Sequence, residues 1–279
     1  MKYQVESILG SEGKSTVMLV NDPKALSRRF ALKVIKREEP KDDALLARAE
    51  AAVEASGKLK HPSILAYHDF VKRKTLFKVN RGELLMEYVD GKSLDKLKKL
   101  SIDQWLLILR QVASALAHMH RRKVLHGDLD PSHVILSRGG QAKLINYGLA
   151  LVPKELRPEP SRLHAAPEHL KEGRILEQGD VYTLGALMYH TLTGQAARQA
   201  AAGAAAAGEG GGGGKVPAPS SLNVKIPTAL NNLIVQCLSS KHEKRPESVY
   251  DVLQQLEAMV TERRLDEEAL RGLAAEPRG

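Results

Sequence analysis

Residues 124–148 read Val124-Leu125-His126-Gly127-Asp128-Leu129-Asp130-Pro131-Ser132-His133-Val134-Ile135-Leu136-Ser137-Arg138-Gly139-Gly140-Gln141-Ala142-Lys143-Leu144-Ile145-Asn146-Tyr147-Gly148. The first part is a loop rich in His, Asp, Gly and Pro, and short strands are predicted at 134–136 and 142–145. Just upstream, Ser101-Ile102-Asp103-Gln104 has capping-box spacing and opens a helix predicted to run to about Arg121. Its apolar positions Leu106, Leu109, Val112, Ala113, Leu116 and Met119 keep the three-to-four period of a buried face. A polar loop delivered by an apolar helix is a place for chemistry.

Further out, the chain has two characters. On the N-terminal side, residues 3–9, 17–20 and 30–35 read as strands, the second ending in the turn-like Asn21-Asp22-Pro23. Residues 42–59 are Ala- and Leu-rich and free of Pro, which predicts a helix. Two more strands fit 64–71 and 83–89. After Gly91 the pattern is mostly helical, with helices expected at 180–192 (ended by Gly194), 227–238 and 247–264. Residues 196–214 are almost wholly Ala and Gly, and the composition predicts a disordered low-complexity loop. The expected division is a β-rich lobe over 1–89, a helical lobe over 90–265 and a tail over 266–279, an α+β fold in two lobes.

Composition narrows the function classes. Among 279 residues there is one cysteine, Cys237, which excludes a disulfide framework or a Cys-cluster zinc site and fits a reducing, cytoplasmic setting. The longest apolar run, residues 105–109, is far short of the roughly 20 residues of a membrane span. Met1-Lys2-Tyr3-Gln4 opens straight into a polar–apolar pattern, so no signal peptide is expected. The net charge of +9 and pI near 9.5 invite a nucleic-acid reading. Aromatic residues are only 4%, which leaves few stacking platforms, and acids are interleaved with the bases. A solvated basic face, with no specific nucleic-acid partner, is the expectation.

Several segments in fixed order carry a resemblance. They are Ala31-Leu32-Lys33-Val34, Leu84-Leu85-Met86-Glu87-Tyr88-Val89, His126-Gly127-Asp128-Leu129-Asp130-Pro131, Asn146-Tyr147-Gly148 and Ala166-Pro167-Glu168. His61-Pro62, Gly179-Asp180-Val181-Tyr182 and Lys244-Arg245-Pro246 add to them. Order and context resemble the signature set of the protein kinase superfamily, in the bacterial Ser/Thr style of the Hanks type. The resemblance covers about residues 3–258. It implies a bilobal kinase fold, with Lys33 at the phosphate-holding lysine and Asp128 at the catalytic base. It further implies an ATP slot lined by Gly10, Val17, Ala31, Lys33, Met86, Glu87, Val89 and Ile135. Asp180, Glu168 and Arg245 are expected to be architectural, and His126 to be a core residue.

The departures point away from ordinary catalysis. Kinase transfer rests on positioning and charge neutralisation by metals and cations. Asn146 stands where the family keeps a magnesium-binding Asp, and a neutral amide is a weak ligand for a hard cation. His133 replaces the second metal ligand, an Asn, and imidazole suits magnesium poorly. Asp130 replaces a γ-phosphate lysine. In the phosphate-covering loop, Glu12 and Ser15 replace two of three aligned glycines, leaving Gly10. Glu50 and Glu54 both miss by about two residues the usual spacing of the helix partner of Lys33, and Glu50 is the one expected to take that role. Gly127 replaces the Arg that would hold a phosphorylated activation loop, and residues 146–168 offer only Tyr147 and Ser161 as acceptors. The expectation is a pseudokinase that regulates or scaffolds through a protein partner, with weak ATP binding and no normal magnesium site. The reading leaves open membership in a longer signalling protein. The alternatives are a divergent active Ser/Thr kinase using Asp128 and Asp130 to recruit a metal, and an aminoglycoside-type phosphotransferase, whose His-Gly-Asp-Leu-His-Pro loop is similar.

Overall fold

Strand-forming residues with apolar alternation fill 15–36, and they pair there as β2 (Ser15–Asp22) and β3 (Ala25–Lys36). The structure, a computed structural model, describes residues 3–22, 25–75, 78–97, 100–206 and 216–274. β1 (Gln4–Glu12) forms the exposed edge beside β2. Glu12 faces Ser15 across the two-residue loop Gly13-Lys14, where Gly13 takes φ +54°, a positive value that glycine adopts without a steric penalty. After α1 (Asp43–Ser56), β4 (Tyr67–Thr75) and β5 (Lys78–Glu87) complete an antiparallel five-stranded sheet in the order β1-β2-β3-β5-β4. This is the N-lobe. The strand expected from Ile64 onward starts only at Tyr67: Ile64 forms an isolated parallel bridge to Leu144, and Leu65 N–H donates to Leu144 O at 3.0 Å.

The C-lobe begins with the short β6 (Gly91–Ser93), which pairs with β7 (Val134–Ser137); β7 in turn pairs with β8 (Ala142–Leu144). Between them runs α2 (Ile102–Arg121), with its Ser101–Gln104 capping box formed in both directions. Leu106, Leu109, Val112, Ala113, Leu116 and Met119 are all fully buried. At roughly 1.5–3 kcal/mol for each large aliphatic side chain, this face is a main source of C-lobe stability. Trp105, Leu107 and Ile108 are buried as well, because α2 packs against both α4 (Glu177–Thr193) and α8 (Val249–Glu262). α3 (Pro167–Glu172), α6 (Pro219–Leu222) and α7 (Thr228–Cys237) complete the lobe. One apolar core runs through both lobes, from Ile35, Leu46 and Leu84 to Leu187 and Leu256.

The Ala/Gly segment departs from its composition. Residues Ala197–Ala206 form α5, with Ala197 and Ala200 buried in the main core. Arg198 fixes the helix by donating to Ala165 O at 2.9 Å and lying over the Tyr182 ring. Alanine has the best helix propensity, and a small side chain suits close packing. The rest of that run, 207–215, lies outside the described residues, as do Pro23 and the tail beyond residue 274.

Candidate functional site

The sheet register sets one side of the cleft. Gly10 pairs with Val17, Val17 with Lys33, Lys33 with Leu84, and Ala31 with Met86. Facing partners and residues two apart share a face, so Val17, Ala31, Lys33 and Met86 project to the same side. Met86 and Val89 are partly buried against the main core. Glu87 is fastened on two sides: its carboxylate pairs with Lys143 at 2.6 Å and accepts from Ala66 N–H at 3.1 Å. Ile135 lies half-buried on β7, across from Lys143. The tip of the β1–β2 hairpin is pinned, since Lys14 Nζ lies 2.9 Å from Asp42, 2.8 Å from Glu39 and 3.5 Å from Glu38. Lys14's ammonium and two backbone N–H groups hold the Asp42 carboxyl down to about 2.

The loop after α2 hangs on a buried carboxylate. Asp180 accepts from the backbone N–H groups of His126 at 2.8 Å and Gly127 at 2.9 Å, and meets His120 Nε2 at 2.9 Å. Burial opposes that charge, but these bonds win and keep its pKa below the ordinary value. Gly127 takes φ +75° to bring both N–H groups to one acceptor, a conformation that costs glycine least. His126 is fully buried, and burial pushes its pKa down to about 4. Asp130 Oδ1 caps the following turn through Ser132 N–H at 2.7 Å and Ser132 Oγ at 2.6 Å. His133 Nδ1 sits 2.6 Å from the Asp128 carbonyl oxygen and 3.6 and 3.7 Å from the carboxylates of Asp128 and Asp130.

Asn146 follows at φ +57°, a left-handed position that Asn tolerates better than most residues. Its N–H donates to the Tyr67 hydroxyl at 2.9 Å, while the buried Tyr147 hydroxyl donates to Leu65 O at 2.6 Å. The two rings lie 5.2 Å apart and tie the segment to the N-lobe. Lower in the structure, Arg245 grips Glu168 with two bonds of 2.7 and 2.9 Å, both residues buried. Glu168, Asp180 and Arg245 thus do the architectural work read from their positions.

Neither glutamate singled out in the sequence pairs with Lys33. Glu50 faces outward and pairs with Lys72 at 2.8 Å, and Glu54 pairs with Lys58 at 3.2 Å. Between them Ala52 is buried. One turn earlier on the same face comes Arg48, which sequence reasoning did not single out. Its Nη2 bonds the Asp128 carboxylate and donates to Asn146 O at 3.1 Å. Among the described residues, the Lys33 side chain has neither a hydrogen bond nor an ion pair. Burial lowers its pKa first and the Arg48 charge adds to this, with Glu12 pulling the other way. The signal for Arg48 was its i, i+4 spacing to Ala52, midway between the two misplaced glutamates.

With this geometry in view, comparison with known proteins decides the family: the protein kinase domain matches residues 3–256. The chain belongs to the protein kinase domain family. Its relatives include the serine/threonine-protein kinase PrkC of Bacillus subtilis, 24% identical over 276 residues that cover 95% of this chain and 42% of that protein. The serine/threonine-protein kinase PknB of Mycobacterium leprae is 26% identical over 271 residues, 92% of this chain and 42% of PknB. The serine/threonine-protein kinase PknJ of Mycobacterium tuberculosis is 31% identical over 213 residues, 72% of this chain and 35% of PknJ. This kinase domain therefore spans less than half the length of these relatives. Among its described residues no helix is long and apolar enough to cross a membrane.

Proposed function

We propose that this kinase-fold domain is impaired in magnesium-dependent phosphoryl transfer and acts by binding a partner protein, holding adenosine nucleotide weakly in its cleft. The observation that carries this reading is the Arg48–Asp128 ion pair. In the family that Asp is the base for the accepting hydroxyl; here its carboxylate faces a guanidinium from α1. The donor set fits magnesium poorly. Asn146 offers a neutral amide, and the Nδ1 of His133 is engaged by the Asp128 carbonyl. Among the described residues no group of three His, Cys, Asp or Glu side chains converges in a metal-holding arrangement. The shared face of Val17, Ala31, Lys33 and Met86 supports the nucleotide reading, in which these residues and Ile135 would line the base, the backbone of Glu87 to Val89 would meet adenine and Lys33 would meet phosphate.

A divergent active Ser/Thr kinase is the second reading, supported by the retained Lys33 and Asp128 and by the relatives' names. The family match and the Glu168–Arg245 pair favour the protein-kinase branch over an aminoglycoside-type phosphotransferase. The test is transfer of radiolabelled phosphate from ATP to the chain itself and to a generic basic protein, with Mg²⁺ and with Mn²⁺. Background transfer is expected. Turnover abolished by Asp128→Asn would overturn the proposal and establish the active kinase.

A further inference from the structure

Arg48 brings a fixed positive charge to the place where the family's metals would be needed. Its guanidinium reaches from the N-lobe helix to the Asp128 carboxylate of the loop after α2 and to the carbonyl oxygen of Asn146, the first residue of the tripeptide that normally supplies a metal ligand. Its Nε is buried and without a hydrogen-bond partner. Lys33 is half-buried, projects from β3 on the same side as Val17, Ala31 and Met86, feels the Arg48 charge, and makes no ion pair among the described residues. Two cations share one cleft: Asp128 is bonded to Arg48, while Glu12 acts on Lys33 without forming an ion pair with it.

An anion between the two groups would satisfy both. A guanidinium presents a rigid fork of donors that matches phosphate oxygens, and it stays charged at any physiological pH. A lysine adds a compact point charge. A divalent cation brought in with the phosphates would meet Arg48 at short range and compete with it for the Asp128 carboxylate and the Asn146 carbonyl oxygen. We propose that Arg48 and Lys33 form a metal-independent polyphosphate site, in which the guanidinium replaces magnesium as the counter-charge for a nucleoside di- or triphosphate. This rests on the reading of an impaired metal site and adds the residue that takes the metal's place. Magnesium should then act against binding.

The experiment is direct titration calorimetry of the unmodified chain with ATP and with ADP, first in EDTA and then with rising Mg²⁺. Affinity should be highest in EDTA and fall at least threefold once the nucleotide is saturated with Mg²⁺. Arg48→Gln should weaken binding in EDTA tenfold or more and abolish the magnesium penalty, whereas Arg48→Lys should retain part of the affinity. Lys33→Met, which breaks no ion pair, serves if Arg48→Gln does not fold, and should also cost about tenfold. Sodium tripolyphosphate should compete with ATP in the unmodified chain. Three outcomes would overturn the inference: no nucleotide binding in EDTA, binding that needs Mg²⁺, or EDTA affinity unchanged in Arg48→Gln. The phosphotransfer assay stands apart, because a chain can fail each of these tests and still transfer no phosphate.

Discussion

On α1, Arg48, Ala52 and Ala55 recur at intervals of four and three and so share one face, the face turned toward Asn146 and Gly148. A Cβ on Gly148 would stand 3.2 Å from that of Ala55, which shows how closely the helix approaches the segment. From there the long Arg48 side chain reaches Asp128, while Ala52 offers Lys33 no carboxylate. Restoring the family's residues at three sites, Asn146→Asp, His133→Asn and Asp130→Lys, leaves that pairing untouched. Groups that act as a unit are strongly non-additive, so phosphate transfer by the triple variant should stay near background. Adding Arg48→Leu and Ala52→Glu frees Asp128 and gives Lys33 a partner, and only this fivefold variant should rise well above background. Recovering four orders of magnitude means lowering the barrier by about 5.5 kcal/mol, more than one side chain usually supplies. The readout is labelled phosphate on a generic basic protein. Robust transfer by the triple variant would mean that the Arg48 pairing is no obstacle.

Among the helices, glycines report how closely elements meet. At Gly185, in the middle of α4, an added Cβ would stand 2.5 Å from the Cβ of Cys237 on α7. Alanine normally favours a helix interior over glycine by about 0.5–1 kcal/mol. Overpacking at a rigid crossing costs about 1–3 kcal/mol, so Gly185→Ala should be net destabilising. Gly203 on α5 is the opposite case: exposed, with nothing within 4 Å of a Cβ. Gly203→Ala should stabilise by up to about 1 kcal/mol if α5 is helical, and change little if the segment is the loop its composition suggests. Urea midpoints of both variants give the answer. Here lies the limit of composition. The α2 face was readable because its period is local, as was the helix end at Gly194 with φ +79°. α5 was not readable, since alanine carries no apolar contrast and the helix is anchored through Arg198 to Tyr182 and Ala165, which no local period can signal.

At the scale of the whole molecule, the two lobes were legible from the order of short motifs, each of which needs only its own neighbours. What joins them was not: the Arg48–Asp128 pair and the Tyr67–Asn146 bond each link residues about 80 positions apart, where no periodicity can signal a contact. Nearby lie histidines wholly or partly withdrawn from water, and these set how the fold responds to acid. Burial lowers His126 to about 4, and burial with the neighbouring His118 does the same for His61. An unfolded chain takes up these protons near the ordinary value of about 6.5. Between that pH and about 4 the unfolded state therefore binds more protons than the native one, and stability falls as pH falls. For the fully buried His126, going from pH 7 to 4.5 should cost on the order of 2–3 kcal/mol; the more exposed His61 should add less. Below about pH 4 the histidine contribution levels off, and further loss comes from carboxylates held below their usual range, Asp180 and Glu168 among them. Urea unfolding across pH 4.5–8 should show a plateau above pH 7 and a decline beneath it. In His126→Gln, lower overall stability is expected because Asp128 N–H loses its Nδ1 acceptor, but the slope between pH 7 and 4.5 should flatten. An unchanged slope in that variant would place the acid sensitivity at other groups.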